Sequence, residues 1–295
     1  MKNKILFVLG TPACGSTLLS LMLDSHPQCF TVGELSNLPR LYQNKKRICS
    51  ICEDRCNFWD RQFSQKELQK LSRGLANVRI SPAIPLKVDK FFREIVNDEI
   101  FRPYSVIAAK TPANILVDST KTIYWISEML QRKEIQKEFD IYLLHLVRDG
   151  RAVLNSYIRK RRNKNIEYLS NFWLNRVTNN EIFFEKFSLG HKMLLRYEEL
   201  ATMPQEKLQE ICNFLGIEYS MEMIPYWKYE HHIISGNSKT NSLANKYRNR
   251  KEDSQNLNDF SVKINLNWRQ KLREDTIQEF YAIIGDRNKP YEWND

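Results

Sequence analysis

The sequence predicts an α/β fold, with a central parallel sheet flanked by helices and a helical insertion. Three observations carry that expectation. Lys4 to Leu9 (KILFVL) is an unbroken apolar run closed by Gly10, the pattern of a parallel strand buried on both faces. Ser16 to Asp24 (STLLSLMLD) then places Leu at 18, 19, 21 and 23, which suits a largely buried helix. The same order of strand, turn and helix returns further along, which is the grammar of a parallel sheet.

Taken in order, the first helix is stopped by Ser25-His26-Pro27. Glu34 to Tyr104 reads as largely helical and without a convincing strand, so residues of about 35–108 are expected to form an insertion covering the site. Asn114 to Val117 is a short strand candidate, DSTK a turn, and Thr122 to Lys133 a helix. Asp140 to Val147 (DIYLLHLV) is the clearest strand, followed by Arg148-Asp149-Gly150 and a helix from Arg151 to about Arg162. His191 to Arg196 is a further strand, with a helix near Gln205 to Leu215 ended by Gly216. No linker-like tract or repeat divides the chain, and a single domain over 1–295 is expected.

Charge narrows the partners. The net +10 and pI near 9.2 suit a polyanionic ligand or acidic partner. Nucleic acid is not expected, since no zinc-finger spacing, RNP-type aromatic motif or heptad-plus-basic region accompanies the charge. The basic runs at Arg159 to Lys164 and Arg248 to Lys251 read as solvated faces or loop edges. The first apolar run is too short to span a membrane, and Gly10, Pro12 and Gly15 break it before a secretory core is complete. A cytoplasmic protein with reduced thiols is the expectation. Cys49, Cys52 and Cys56 form a C-x2-C-x3-C group that admits zinc, with a fourth ligand from Cys29 or a histidine, or a disulfide; free structural thiols are the favoured reading.

The chemistry gathers at two turns. GTPACGST (Gly10 to Thr17) matches the phosphate-loop pattern G-x-x-x-x-G-K-[ST] except that Ser16 stands at the lysine position. This makes the sheet P-loop NTPase-like. Backbone amides from Ala13 through Cys14, Gly15 and Ser16 to Thr17, at a helix N-terminus, form an anion nest, and the two hydroxyls add donors. Without the lysine the loop suits a phosphate or sulfate ester better than ATP hydrolysis. In VRDGRAVLNSYIRK (Val147 to Lys160), Arg148 leaves a strand end toward the cleft and Ser156 lies two turns into the helix, a fork and a hydroxyl for one anion. A salt bridge from Arg148 to Asp149 or a neighbour is the competing arrangement.

Together these stretches resemble sulfotransferases that use 3′-phosphoadenosine 5′-phosphosulfate (PAPS). In that family the first loop, commonly [KR]-S-G-[ST]-[ST], holds the 5′-phosphosulfate and matches Ala13 to Thr17; a later R-x7-S element holds the 3′-phosphate and matches Arg148 and Ser156. GTPACGSTLLSLMLDSHP with Gly33-Glu34 is similar to tyrosylprotein sulfotransferases, as is LVRDGRAVLNSYIRK. LRYEEL, which contains Tyr197, FLGI, and HHIISGN (His231 to Asn237), which contains Gly236 and Asn237, extend the likeness to a donor-binding loop. The resemblance implies a PAPS-dependent sulfotransferase that needs no metal and acts on a hydroxyl acceptor: an acidic tyrosine peptide, a glycan or a small molecule. It assigns Glu34 as the base and Ser16 to the sulfuryl oxygens. Ala13 departs from the family, which places a cation there; Lys121 is the expected replacement and Lys110 a weaker one. The alternative is a catalytically weak or inactive nucleotide-binding regulatory protein of the same fold. His26 is expected to be a cap residue and His145 a core histidine.

Overall fold

The computed structural model describes residues 2–78, 102–249 and 262–294. Among them a five-stranded, all-parallel sheet runs in the order β2-β3-β1-β4-β5. β1 (Asn3–Gly10) is central, and Ile5 to Leu9 are at most 1% exposed, as an apolar run without alternation requires. β4 (Phe139–Val147) pairs with it residue for residue, from Asn3↔Phe139 to Gly10↔Leu146. β5 (His191–Arg196) forms one edge, with the bounds the sequence predicts.

Two strands differ from expectation. β2 (Cys29–Gly33, CFTVG) was not foreseen as a strand; it is buried throughout and completes the opposite edge beside β3. Five residues without alternation give no periodic signal, and the pairing partner decides their state. β3 (Ile115–Lys121) continues through DSTK, where a turn was expected. Asp118 explains the extension. Its buried carboxylate accepts from Tyr104 Oη (2.6 Å), Trp125 Nε1 (2.8 Å) and Thr120 N (2.8 Å), so an acidic residue is satisfied inside the sheet.

The helices follow their caps. α1 (Ser16–Asp24) begins after Gly15, which is left-handed at φ 99°. The segment expected as a helical insertion contains α2 (Leu38–Gln43), α3 (Gln65–Val78) and α4 (Pro103–Ala108), but residues 44–64 are non-helical and carry the three cysteines; residues 79–101 lie outside the described residues. Thr122 caps α5 (Ile123–Leu130) by accepting from Trp125 N, and α6 (Lys133–Glu138) leads into β4. α7 (Gly150–Lys160), α8 (Ile166–Lys186), α9 (Tyr197–Thr202) and α10 (Pro204–Leu215) follow, the last closed by left-handed Gly216 at φ 64°. α11 (Ser238–Asn249), α12 (Trp268–Lys271) and α13 (Glu274–Ile284) complete the chain; the side chains of the basic run from Arg248 to Lys251 lie outside the described residues. α1 packs on β2 and β3, whereas α8 packs on β1 and β4.

This order fixes where a ligand can enter. β1 connects toward β2 on one side, and β4 connects toward β5 on the other. The connections therefore diverge between β1 and β4, and a crevice opens beyond the carboxyl ends of those neighbours. Gly10 and Val147 are those ends.

Candidate active site

The loop after β1 is held from below and from the side. A Cβ on Gly10 would lie 2.7 Å from Leu146 O and 2.8 Å from Cys14 Sγ, so the strand end admits no side chain. Ala13 is left-handed at φ 70°, an unusual state for alanine. Cys14 turns its amide to Thr11 O (3.2 Å) and is itself fully buried. It shapes the loop and withholds its N–H from the anion nest expected of it. Burial also raises its thiol pKa, against the pull of nearby Lys121. Ser16 and Thr17 are the first residues of α1, so their amides belong to the turn that lacks intrahelical acceptors.

Arg148 meets this loop from β4. Its Nη1 donates to Ala13 O (2.9 Å), its Nη2 donates to Asn265 O (3.1 Å), and its guanidinium lies 4.0 Å from the centre of the Tyr197 ring. Its Nε is buried with no hydrogen-bond partner among the described residues, a donor that a bound anion would satisfy. Asp149 does not compete for it. That carboxylate caps α7 by accepting from Arg151 N, and it pairs with the Arg151 side chain, Asn288 Nδ2 and Trp293 N. The salt bridge to Asp149 weighed from the sequence is therefore formed by Arg151, and Arg148 is left for the crevice. Ser156 sits half-buried on α7. Tyr197 is 6% exposed; its ring packs on Gly15 and its hydroxyl accepts from Asn265 N (3.3 Å). It acts as the wedge between the loop and Arg148.

Glu34 directly follows β2, and Lys121 ends the adjacent β3. Leu9 is in register with Lys121, which brings the end of β3 beside the start of the loop. Lys121 Nζ donates to Glu34 Oε1 (2.5 Å) and to Ser119 O (2.8 Å), and Asn37 Nδ2 donates to Glu34 Oε2 (2.8 Å). The lysine is 11% exposed and the glutamate 27%, so the pair is shielded yet reachable. Lys110, the weaker cation candidate, pairs instead with Glu67 at 3.0 Å. Lys160, at the end of α7, was not singled out from the sequence. Desolvation lowers its pKa, and it feels the charges of Arg159, Glu34 and Lys121, which places another cation near the pair.

The HHIISGN segment ties these parts together. Ile234 N donates to Val32 O (3.0 Å), and Ile234 O accepts from Glu34 N (2.8 Å). Gly33, at φ 75°, has no room for a side chain, because a Cβ would lie 2.6 Å from Ile234 N. Three residues on, Asn237 N donates to Thr17 Oγ1 (2.9 Å), and Gly236 lies against Thr17. His231 anchors the segment, with Nδ1 2.7 Å from Asp24 Oδ2 and Nε2 2.7 Å from Tyr226 O. Four of the sequence-predicted residues, Glu34, Thr17, Gly236 and Asn237, are thus joined through one run of backbone.

The other histidines weighed from the sequence are structural in their contacts. His26 Nδ1 accepts from Gln28 N (3.1 Å), and its Nε2 meets Glu218 O (2.8 Å). His145 is 3% exposed inside β4, and burial lowers its pKa to about 4.

A Caenorhabditis briggsae protein, provisionally named a protein-tyrosine sulfotransferase, is 23% identical over 96% of this chain and 89% of its own length. Protein-tyrosine sulfotransferase A of Caenorhabditis elegans is 24% identical over 95% of this chain, which spans 65% of that protein. Among solved structures, the sulfotransferase domain of the Synechococcus PCC 7002 olefin synthase superposes with a TM-score of 0.50 at 20% identity, over 100% of this chain and 98% of that one. That likeness concerns the fold. None of the helices among the described residues is long and apolar enough to cross a membrane. The profile of the Sulfotransferase family matches residues 6–221, a span that holds the loop, Glu34, Lys121, Arg148 and Tyr197, and the chain belongs to that family.

Proposed function

We propose that this chain transfers a sulfuryl group from PAPS to a hydroxyl acceptor. The observation that carries the reading is the hydrogen-bonded pair of Glu34 and Lys121, set at the strand end beside a phosphate loop. The residues present suit the donor: the first-turn amides of α1, the hydroxyls of Ser16 and Thr17, and an Arg148 Nε buried without a partner among the described residues. Bound there, PAPS supplies an activated sulfuryl group. Ser16 and Thr17 would hold its sulfate end, and Arg148 with Ser156 its 3′-phosphate.

The chain's own chemistry is a coupled change of charge. Glu34 Oε takes the proton of the attacking hydroxyl. Protonation removes the negative charge that held Lys121, so the ammonium becomes an unpaired cation next to the loop. It is then available to stabilise negative charge appearing there, the service that a basic residue at position 13 performs in the family this loop resembles. Acid–base work and electrostatic stabilisation are thereby linked through one hydrogen bond.

The names of the relatives and the net charge of +10 support a tyrosine hydroxyl in an acidic peptide as acceptor. The test uses Glu34→Gln. Turnover of labelled sulfate from PAPS onto tyrosine peptides and oligosaccharides should fall about 100-fold or more, as loss of a general base predicts. Calorimetric affinity for the desulfonated product, 3′-phosphoadenosine 5′-phosphate, should be retained. Unchanged turnover removes Glu34 as base, and a wild-type chain that fails to bind the product nucleotide overturns the reading altogether. Ala13 favours a second reading, a nucleotide-binding protein without transfer activity. Product binding with no transfer to any acceptor would establish it.

A further inference from the structure

The cysteines of the insertion meet a histidine from the far end of the chain. Cys49, Cys52 and Cys56 lie on the non-helical stretch of residues 44–64, and His232 belongs to the HHIISGN segment. The three Sγ atoms and the ring nitrogen all lie within 4.8 Å of one another. His232 Nδ1 faces two sulfurs at once, at 3.6 Å from Cys52 and 3.3 Å from Cys56. A tetrahedral zinc ion with its usual bond lengths separates sulfur from nitrogen by about 3.6 Å and sulfur from sulfur by about 3.8 Å. The cluster is already near the edges of that tetrahedron.

We infer that Cys49, Cys52, Cys56 and His232 form a structural zinc site that fastens the insertion to the HHIISGN segment. The surroundings suit thiolate ligands. Backbone amides point at the sulfurs: Ile51 N (3.5 Å) and Cys52 N (3.4 Å) at Cys49, and Trp59 N (3.4 Å) at Cys56. Such donors lower the charge on ligating sulfur and hold its direction. The histidine is oriented as a ligand would be. Trp59 Nε1 donates to His232 O (2.6 Å), Phe58 stacks on the ring, and Glu230 Oε1 faces the other ring nitrogen at 3.7 Å. Three sulfurs and one imidazole make a closed soft set, which selects zinc and leaves no open position for catalysis.

Backbone pairing surrounds the site. Cys49 bridges Ile234, and Ser50 N donates to Ile233 O (2.9 Å). Zinc would complete a seam in which the insertion, His232 and the strand end carrying Glu34 are joined. Neither of the other readings of the cysteines accounts for the histidine. A disulfide would use two sulfurs and leave the third with the imidazole. Cys29, considered as a fourth ligand, lies on β2 and stands outside the cluster. All six cysteines are free of disulfides.

The experiment is metal analysis of the full chain, expressed with zinc in the medium and freed of loose metal by gel filtration. About one zinc per chain is expected. Cobalt(II) added to protein stripped of metal should give the visible absorption of a tetrahedral site and thiolate-to-cobalt charge transfer in the near ultraviolet. Changes around a metal's ligands cost about 10–100-fold in affinity, so His232→Ala should weaken zinc retention against a chelator by at least about tenfold. His232→Cys, which restores a fourth soft ligand, should recover it, and Cys29→Ala should leave it intact. Wild-type protein without stoichiometric zinc and without the cobalt spectrum overturns the inference, whatever becomes of the variants. So does a disulfide among the three cysteines, or a His232→Ala protein that holds zinc as tightly as wild type.

Discussion

Gly15→Ala isolates the contact on which the shape of the loop after β1 rests. Two costs can be worked from the structure. Gly15 sits at φ 99°, where an alanine loses about 1–2 kcal/mol. Its Cβ would overlap Tyr197 Cδ2 and lie 2.9 Å from Cε2 and 3.1 Å from Cγ of that ring. The ring cannot retreat, because Tyr197 is 6% exposed and Arg148 covers it at 4.0 Å. Overpacking of this kind costs about 1–3 kcal/mol, giving a total of ~2–5 kcal/mol. Urea unfolding of the wild type, Gly15→Ala, Tyr197→Ala and the double variant measures it. With the ring removed only the backbone cost survives, so alanine at 15 should cost about 1–2 kcal/mol there, a coupling of ~1–3 kcal/mol. A Gly15→Ala penalty below about 0.5 kcal/mol, or the same penalty in both backgrounds, would refute the wedge.

Two further expectations stand beside it. Arg148→Ala removes charged hydrogen bonds of about 1.5–3 kcal/mol and should weaken 3′-phosphoadenosine 5′-phosphate binding by roughly 10–150-fold in calorimetry; an unaltered dissociation constant would remove Arg148 from the donor site. His145 governs part of the acid sensitivity. Its folded pKa of about 4 lies below the reference 6.5, so between those values the unfolded chain binds a proton that the folded chain does not. Stability should therefore fall as pH drops from 6.5 to about 4, by up to ~3 kcal/mol from this residue. His145→Gln should flatten that slope in pH-dependent unfolding, and an unchanged slope would contradict it.

The parts legible in the sequence are those with long-range regularity. β1 announces itself by an unbroken apolar run, β4 by one from Ile141 to Val147 interrupted only at His145, β5 by the shorter Met193 to Leu195, and α10 by its glycine stop. β2 and the end of β3 were not legible, because their state is decided by neighbours: CFTVG by its pairing to β3, and Asp118 by hydroxyl and indole donors from Tyr104 and Trp125. In the site, Gly15 and the turn at Arg148 follow from local pattern. What Arg148 faces does not, since it depends on Arg151 taking Asp149. Cys14 shows the opposite failure, as a residue inside the motif whose amide is used within the loop. His232 could be foreseen only as some histidine, because 180 residues separate it from Cys52 and nothing local records their approach.

The short span from Ile234 to Asn237 works as a ruler. Its first residue holds the amide of Glu34 and its last holds the hydroxyl of Thr17, with only Ser235 and Gly236, both at positive φ, between them. The distance from Glu34 to the loop after β1 is therefore set by a count of residues rather than by side-chain chemistry. Within this architecture, one residue added or lost here would move Glu34 and the first turn of α1 apart, so the span tolerates substitution better than a change of length.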